Sequence, residues 1–333
     1  MTTPELSVVI PVYNEAEGLA ALFARLYPAL DALQVPYEVI FINDGSRDRS
    51  AALLKDQFAA RPDVTRVVLF NANYGQHTAI IAGFERVRGQ RIVTLDADLQ
   101  NPPEEIGSLL KAMDAGHDYV GGVRRTREDA WWRRIASRMM NRLRERITHI
   151  KMTDQGCMLR AYSRGIVDAV AASREVNVYI PALAYTYAHD PVEVEVAHEE
   201  RTAGESKYSL YQLIRLNFDL ITGFSLVPLQ LFSLFGMFVA AMSVLMYAVV
   251  MVQRALAGDF IGGISALWDR DILQFFLTGV VLFGVGLVGE YVGRIHQQVR
   301  ERPRYTIQAI LEAKADGTVP IATLTAVPGV LRG

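Results

Sequence analysis

The sequence predicts an α/β fold: a Rossmann-like, mostly parallel sheet, followed by interface helices and a two-helix transmembrane hairpin. Two observations lead to this fold class. Over roughly residues 5–120, apolar runs alternate with helical patterns in units of about 30 residues, which is typical of parallel strands joined by right-handed crossovers. Later, residues 227–252 and 272–289 contain no charged side chain. Each of these stretches is long enough to cross a hydrocarbon core of ~30 Å.

The elements of the sheet region are predicted in order. Leu6–Val12 is a continuous apolar run, as expected for a strand buried on both faces of a parallel sheet. After it, Leu19, Leu22, Leu26 and Leu30 recur at helical spacing and predict a helix over 19–33. The remaining predicted elements are the strand 37–42, the helix 50–60, the strand 64–70, a helix from the loop 71–77 to about 87, and the strand 91–95.

Composition limits the class of protein. The chain has 333 residues, and its single cysteine, Cys157, excludes an internal disulfide framework and a Cys-rich zinc site. We expect Cys157 to be a small buried residue and His77 and His198 to be structural. The first five residues lead directly into a strand, so no signal peptide is expected.

The chain divides into four predicted parts, and the basic residues orient them. Lysines and arginines flank the outer ends of the hairpin, whereas its linker has little net charge, so the catalytic domain and both termini are expected in the cytoplasm. Gly279, Gly284, Gly286 and Gly289 give the second helix a small-residue edge for packing. The predicted parts are a catalytic domain (1–205), a juxtamembrane amphipathic helix (206–226), a transmembrane hairpin (227–290, with spans near 227–252 and 272–290) and a C-terminal tail (291–333).

Acidic residues end three of the predicted strands. They are Glu15, Asp44, and Asp96 with Asp98. Parallel strands end at the same edge of a sheet, where α/β proteins bind ligands. Two carboxylates with the nearby Gln100 amide suit a hard divalent cation, although solvated aspartates at a helix cap are the alternative. No G-x-G-x-x-G follows the first strand and no G-x-x-x-x-G-K-[ST] occurs, so a dinucleotide oxidoreductase and a P-loop NTPase are disfavoured.

Several motifs carry a resemblance to a known family. The segments 9–15, 43–46 and 96–103 resemble the successive signatures of family 2 glycosyltransferases of the GT-A type. The predicted hairpin resembles that of the polyisoprenyl-phosphate branch. Segments 73–77, 154–162 and 204–208 are similar to the enzymes that transfer 4-deoxy-4-formamido-L-arabinose to undecaprenyl phosphate. The resemblance covers about residues 5–305.

The resemblance implies an inverting, metal-dependent transfer of a sugar from a UDP-sugar to undecaprenyl phosphate at a bacterial inner membrane. The expected sugar is 4-deoxy-4-formamido-L-arabinose, used in lipid A modification and polymyxin resistance. A glucosyl- or N-acetylglucosaminyltransferase is the alternative. A non-catalytic, membrane-anchored nucleotide-sugar binder is the alternative of another class. Membrane lipid and further copies of the chain in a homo-oligomer are expected partners, and nucleic acid is not.

The resemblance also assigns residues to the donor and the cation. Asp98 and Gln100 are the expected direct ligands of Mg²⁺ or Mn²⁺, and Asp96 lies between cation and donor as a catalytic residue. Many relatives have an acid where this chain has Asn43, so the nucleoside role is carried onto Asp44. The expected donor-binding residues are Pro11, Tyr13, Glu15, Asp44 and Asp96, with Arg201, Ser206 and Lys207 on a loop that closes over the diphosphate.

The acceptor side is expected in and after a basic segment, 124–146. Arginines alternate there with apolar residues at helical spacing behind two tryptophans, which is typical of a membrane-interface helix, although a solvated basic face is the alternative. By resemblance, Arg124, Arg134 and Ser137 hold the lipid phosphate, with Arg133 as the alternative to Arg134. Asp154 is expected to be the catalytic base or to orient the acceptor, and a turn cap is its alternative role.

Overall fold

The computed structural model describes residues 3–124, 151–154, 156–173, 179–199, 227–257, 265–299 and 303–313. The chain forms two compact units. The first comprises residues 1–208 and 302–333 and contains the sheet with the candidate active site. The second, residues 209–301, contains two long helices.

The first unit is built on a mixed, mostly parallel sheet of eight strands in the order β7-β5-β6-β4-β1-β2-β3-β8. β1 is central and pairs in parallel with both β2 and β4. The pairs β4–β6, β5–β6 and β3–β8 are antiparallel. The four strands predicted from the sequence are present, and the sheet confirms the predicted α/β class. The strands are β1 Leu6–Val12, β2 Tyr37–Asn43, β3 Thr65–Phe70, β4 Arg91–Thr94, β5 Tyr119–Arg124, β6 Arg160–Ser163, β7 Pro191–Val196 and β8 Ile307–Leu311.

Helices flank the sheet, and their buried residues recur at helical spacing. In α1, Leu19, Leu22, Leu26 and Leu30 are fully buried, because this stripe faces the core. A short 3₁₀ turn, Pro103–Glu105, precedes α4. The helices of this unit are α1 Leu19–Asp31, α2 Ser50–Ala60, α3 Gln76–Phe84, α4 Ile106–Asp114, α5 Arg164–Ala172 and α6 Ile180–Tyr187.

One glycine sets how closely α3 lies on the sheet. A Cβ atom on Gly83 would lie 2.4 Å from Val9 Cγ1 and 3.0 Å from Ile42 Cδ1. Such contacts are shorter than van der Waals packing allows, so only glycine permits this approach. The C-terminal end of α3 is thereby held directly against β1 and β2.

The last strand, β8, returns the chain to the sheet beside β3. From the sequence, this segment is expected to belong to a C-terminal tail, and no strand is predicted there. Tyr305, just before β8, stacks on Phe70 with the ring centroids 4.8 Å apart. Its hydroxyl donates to Glu85, and Arg86 Nη1 donates to that hydroxyl at 2.8 Å. β8 is missed because it has five residues and its partner strand lies more than 200 residues earlier in the chain.

The second unit consists of helices α7 (Val227–Ala257) and α8 (Ser265–Val299). Phe232 and Phe283 meet with ring centroids 5.6 Å apart. A Cβ atom on Gly284 would lie 2.2 Å from the Phe232 ring, so this glycine permits the approach of that side chain. Across the described part of the chain, none of the helices combines the length and the apolarity that crossing a membrane requires.

Replacement of Tyr305 by alanine tests the contribution of the segment that precedes β8. The ring is only 5% exposed, so Tyr305→Ala is expected to lower the free energy of unfolding by about 3–5 kcal/mol through lost burial and a residual cavity. Urea unfolding followed by circular dichroism measures this. Tyr187→Ala is the matched control, because that ring is 44% exposed and its loss should cost less than about 0.5 kcal/mol. Equal losses in both variants would contradict the role of Tyr305.

Candidate active site

The carboxyl ends of β1, β2 and β4 bring the predicted acidic residues to one edge of the sheet. β1 lies between β2 and β4 in parallel register, so all three strands end on the same side. The register continues beyond the strands, since Asp44 N donates to Val12 O at 2.9 Å and Leu95 N donates to Val9 O at 3.1 Å. The segments that carry Glu15, Asp44 and Asp96 therefore leave the sheet side by side.

The loop after β1 is held by side chains of the loop after β2. The backbone N–H groups of residues 14–16 each donate one hydrogen bond, with a donor–acceptor distance of 3.0 Å. In return, Arg47 N donates to Asn14 Oδ1 at 2.8 Å, and Asn14 adopts a left-handed backbone with φ 54°. The acceptors of the three N–H groups are Ser46 Oγ, Ser50 Oγ and Asp48 Oδ2. This interlock fixes the backbone that carries Glu15.

Pro11 and Tyr13 differ in what they can contact. Pro11 lies within β1 and is buried. Tyr13 follows the strand, and 42% of its surface is exposed. An exposed aromatic face can stack on a planar ligand such as a nucleobase. The geometry therefore favours Tyr13 over Pro11 as a direct ligand contact.

Asp44 is 2% exposed, and its carboxylate holds the loop after β3. Oδ1 accepts from Tyr74 N at 2.6 Å, and Oδ2 accepts from Gly75 N at 2.8 Å and from Asn73 Nδ2 at 3.0 Å. A carboxylate can accept about four hydrogen bonds, so these three leave room for about one more. Burial raises the pKa of Asp44, although the two N–H bonds act in the opposite direction. The nucleoside contact predicted for Asp44 from the sequence did not include this loop-holding role.

Asp96 is half-buried beside two other acids. Gln76 Nε2 donates to Asp96 Oδ1 at 2.6 Å. Burial, followed by repulsion from the Asp98 carboxylate, raises the pKa of Asp96 to about 7; Glu15 adds to this, and Gln76 and Arg124 oppose it. Close carboxylates cannot all remain charged at low cost, which is the situation that a bound cation relieves.

The backbone between the two predicted cation ligands is strained. Leu99 has a φ of 59°, in the left-handed region that costs a residue with a Cβ about 1–2 kcal/mol. Its side chain is buried, and Gln100 N donates to Asp98 Oδ1 at 3.2 Å. Strained residues of this kind concentrate at functional loops. The side chain of Leu99 thus anchors this turn in the core, while Asp98 and Gln100 on either side of it lie outside the core.

This loop fits an oxygen-liganded divalent cation. Its donors are carboxylate and amide oxygens, which suit Mg²⁺ or Mn²⁺. Within the described ranges, three or more His, Cys, Asp or Glu side chains do not converge as a ready-made cation site. The predicted cation ligands are only two carboxylates and one amide, so oxygens of a bound diphosphate would have to complete the coordination of the cation.

Arg124 and Asp154 form a bidentate ion pair. Arg124 Nε donates to Asp154 Oδ2 at 2.6 Å, and Nη2 donates to Oδ1 at 2.8 Å. Gly156 N also donates to Oδ1, at 3.0 Å. A Cβ atom on Gly156 would lie 2.6 Å from Arg124 Nη2, so glycine leaves space for the guanidinium group. The two residues, predicted separately as acceptor ligand and base, are thus joined in one pair.

Arg160 is a buried cation that the sequence analysis did not assign to the site. Its side chain is 0% exposed, and its donors reach Asp154 O at 2.6 Å, Cys157 O at 2.8 Å and Tyr119 Oη at 2.5 Å. A Cβ atom on Gly121 would lie 2.9 Å from its Nη1. Arg160 therefore fixes the backbone of the loop that carries Asp154. The signal in the sequence that could have indicated a buried arginine was its position inside an otherwise apolar run, 157–162.

Cys157 joins the Asp154 loop to the loop after β4. It is fully buried, and its Sγ lies 3.5 Å from Asn101 Oδ1, to which it donates. Burial raises the pKa of the thiol to about 11, so it remains protonated near neutral pH. The expectation of a small buried residue is confirmed.

His77 lies in the first turn of α3 with its ring edge-on to Tyr179, the centroids 5.2 Å apart. Burial lowers the pKa of His77 to about 4, so the ring is neutral at pH 7. Within the described residues its Nδ1 is buried and has no hydrogen-bond partner. A neutral, buried ring fits the structural role expected for it.

Five predicted site residues lie outside the described part of the chain. They are the acceptor ligands Arg134 and Ser137 and the diphosphate ligands Arg201, Ser206 and Lys207. The last described residue before the predicted diphosphate loop is Glu199, whose N–H donates to Gln100 O at 2.9 Å. The chain thus enters that predicted loop from the edge of the candidate cation site.

Comparisons with known proteins agree over most of the chain. The family model described as glycosyl transferase family 2 matches residues 7–171. The undecaprenyl-phosphate 4-deoxy-4-formamido-L-arabinose transferase of Aeromonas hydrophila is 46% identical over 314 residues, which cover 92% of this chain and 94% of that protein. The protein of the same name from Pseudomonas fluorescens is 45% identical over 320 residues, covering 96% and 93%.

One similar solved structure is glucosyl-3-phosphoglycerate synthase from Mycobacterium tuberculosis in complex with Mn²⁺, uridine-diphosphate and phosphoglyceric acid. It has a TM-score of 0.47 and 16% sequence identity, and the match covers 66% of this chain and 76% of that one.

Replacement of Arg160 by methionine tests whether the buried cation supports the Asp154 loop. Arg160→Met is expected to lower the free energy of unfolding by about 3 kcal/mol or more, because two backbone carbonyls lose their donor at about 1–3 kcal/mol each. Urea unfolding measures this. Arg88→Met is the control, since Arg88 is 47% exposed and its ion pair should contribute at most about 1 kcal/mol. A cost no larger than that of the control would refute the role of Arg160.

The depressed pKa of His77 predicts a pH dependence of stability. Its folded pKa of about 4 lies below the unfolded value of 6.5, so the unfolded chain binds the proton more readily. This contribution is fully present above pH 6.5 and is lost as the pH falls toward 4, by at most about 1.4 kcal/mol per pH unit.

His77→Phe should remove this dependence. Urea titrations at several pH values are expected to show the stability of the wild type relative to the variant declining below pH 6.5. A difference that stays constant down to pH 4 would show that His77 is not buried as a neutral ring.

Proposed function

Because the chain belongs to glycosyl transferase family 2, and is therefore a glycosyltransferase, we propose that it transfers 4-deoxy-4-formamido-L-arabinose from a UDP-sugar to undecaprenyl phosphate. The sugar and the acceptor are those in the names of relatives that are 45–46% identical over more than nine-tenths of the chain. The lipid-linked product would serve lipid A modification and polymyxin resistance.

One observation carries the proposal. The Asp96–Asp98 edge follows β4, and Arg124 ends β5, which runs in the same direction because both strands pair antiparallel with β6. Arg124 is in turn fixed by Asp154. The same edge thus combines a place for the donor diphosphate with a positively charged side chain, that of Arg124, for the acceptor phosphate. A transfer between two phosphate-bearing substrates needs both.

The donor would be bound along the carboxyl ends of β1, β2 and β4. Tyr13 offers its exposed ring to the base, and Asp44 can accept about one further hydrogen bond from the nucleoside. Asp98 and Gln100 would hold Mg²⁺ or Mn²⁺, with Asp96 between cation and donor. When bound, this cation neutralises charge on the departing nucleoside diphosphate. Arg201, Ser206 and Lys207, from the segment after Glu199, would add positive charge to the same group.

The transfer itself is a single in-line displacement. An oxygen of the acceptor phosphate forms a bond to the anomeric carbon while the bond from that carbon to the UDP oxygen breaks, and UDP leaves with the electron pair. The configuration at the anomeric carbon is therefore inverted. Arg124, with Arg134 and Ser137, would hold the acceptor phosphate, for which a guanidinium fork is well suited.

Asp154 orients the acceptor site in this scheme and does not need to act as a base. Both of its oxygens accept from Arg124, which leaves the carboxylate poorly placed to take a proton. The acceptor needs no strong base, because the second pKa of a phosphate monoester is ~6 and its oxygen is already ionised at neutral pH. Of the two roles expected for Asp154, we propose the orienting one.

We further propose, on the sequence pattern and although none of the described helices combines the length and apolarity of a membrane span, that residues 227–290 anchor the enzyme in the inner membrane as a multi-pass protein with a cytoplasmic catalytic domain. The support is the uncharged sequence of 227–252 and 272–289 and the many exposed apolar side chains of α7 and α8, such as Phe238 at 62% and Phe283 at 65%. Gly279, Gly286 and Gly289 face open space within the described residues, which leaves room for a helix of another copy.

A reconstituted transfer assay tests the function. The purified chain is mixed with UDP-4-deoxy-4-formamido-L-arabinose, undecaprenyl phosphate and Mn²⁺, and the lipid product is identified by mass spectrometry. UDP release is expected only when both the lipid phosphate and the divalent cation are present. Transfer from UDP-glucose or UDP-N-acetylglucosamine alone would overturn the assigned sugar. Donor binding without UDP release from any of these donors would favour a non-catalytic binder.

Asp98→Asn tests the cation assignment. The variant keeps the size of the side chain but removes one charge, so we expect the turnover rate at saturating donor to fall by about 100-fold or more. The transfer assay measures this, with circular dichroism as the check of folding. Asp114→Asn is the matched control, because Asp114 is exposed and pairs with Arg91 away from the site. Full activity of the Asp98 variant would remove the cation assignment.

A further inference from the structure

We propose that Gln76 is a positioning residue that holds the Asp96 carboxylate in place for the cation and links it to the loop fixed by Asp44. This rests on the proposed function, since it requires a divalent cation at the Asp96–Asp98 loop. It adds a residue to which the sequence analysis gave no role.

The contact between the two side chains is direct. Gln76 Nε2 donates to Asp96 Oδ1 at 2.6 Å. Asp96 lies two residues before Asp98, so the direction of its carboxylate decides whether both side chains can face one cation. An amide supplies a hydrogen bond without adding a charge that would compete with a cation. Gln76 therefore keeps one carboxylate orientation among like charges.

Gln76 is itself fixed by the residue before it. Gly75 has a φ of 94°, a conformation that favours glycine, and its N–H donates to Asp44 Oδ2 at 2.8 Å. Asp44 also accepts from Tyr74 N at 2.6 Å. The loop enters α3 at Gln76. The backbone of Gln76 is thus set by the buried carboxylate of Asp44, directly after β2.

The other end of the same helix is also anchored. Gly83 lets α3 lie directly on Val9 of β1, as its missing Cβ shows. The start of α3 is therefore constrained by Asp44 and its remainder by the sheet. A rigid support of this kind is what a residue needs in order to orient a cation ligand.

A purely structural role does not account for the glutamine. Its side chain is exposed, and the first backbone bond of α3, from Ala79 N to Gly75 O, does not involve it. Substitution of an exposed side chain at a helix start should change stability little. The consequence of its loss should therefore appear in cation binding, because groups that orient metal ligands typically contribute about 10- to 100-fold to metal affinity.

The test is a Mn²⁺ titration of the whole chain by electron paramagnetic resonance, with and without UDP, for wild type, Gln76→Met and Gln76→Ala. Both variants remove the donor, and alanine is also an excellent helix former. We expect Mn²⁺ to bind about 10- to 100-fold more weakly to both variants, with an unchanged thermal unfolding midpoint. Gln90→Met is the matched control, because Gln90 is an exposed glutamine whose hydrogen bonds within the described residues use only its backbone.

The outcomes separate this inference from the proposed function. Wild-type Mn²⁺ affinity in both Gln76 variants would overturn the inference, and so would loss of cooperative unfolding in both. Absence of Mn²⁺ binding by the wild type would overturn it together with the cation assignment. If the variants bind Mn²⁺ more weakly but the wild type transfers no sugar to undecaprenyl phosphate, the role of Gln76 would be upheld and the proposed reaction would be rejected.

Discussion

Repulsion between carboxylates is the constraint on which the candidate active site depends. Because β1 pairs in parallel with β2 and β4, their carboxyl ends lie at the same edge of the sheet, and the segments that carry Glu15, Asp44 and Asp96 leave it side by side. Burial, followed by repulsion from Asp98 and, to a smaller extent, from Glu15, raises the pKa of Asp96 to about 7. The surroundings limit this repulsion without abolishing it, which leaves the loop ready to take a positive charge.

The opposite side of the site uses two arginines in different ways. Arg124 is paired with a carboxylate that fixes its direction. Arg160 is fully buried and donates to backbone carbonyls and a tyrosine hydroxyl, so it braces the chain on which Asp154 stands. Gly121 and Gly156 give these guanidinium groups their space, because a Cβ at either position would lie within 3 Å of them. Arg124 thus supplies the charge for the ligand, and Arg160 supports the loop.

The first unit is discontinuous in sequence, since it contains both 1–208 and 302–333. In the sequence, the segment 209–301 is therefore an insertion between the two parts of the first unit. The stacking of Tyr305 on Phe70 and the pairing of β8 with β3 close this arrangement. The segment that contains Tyr305 and β8, which the sequence predicts to be a tail, is therefore part of the unit that carries the site.

The sequence by itself determined the features that depend on neighbouring residues. Continuous apolar runs such as Leu6–Val12 predict parallel strands, and acids directly after them predict a ligand edge, because strand direction alone places those ends together. Only the tertiary structure decided the features made by residues far apart in the chain: the hydrogen bonds of Asp44 to the loop after β3, the burial of Arg160, the pair of Arg124 with Asp154, and the return of β8. The physical reason is that a hydrogen bond or a buried charge is defined by its partner, and no local pattern of residues names a partner that lies 30 or 200 positions away.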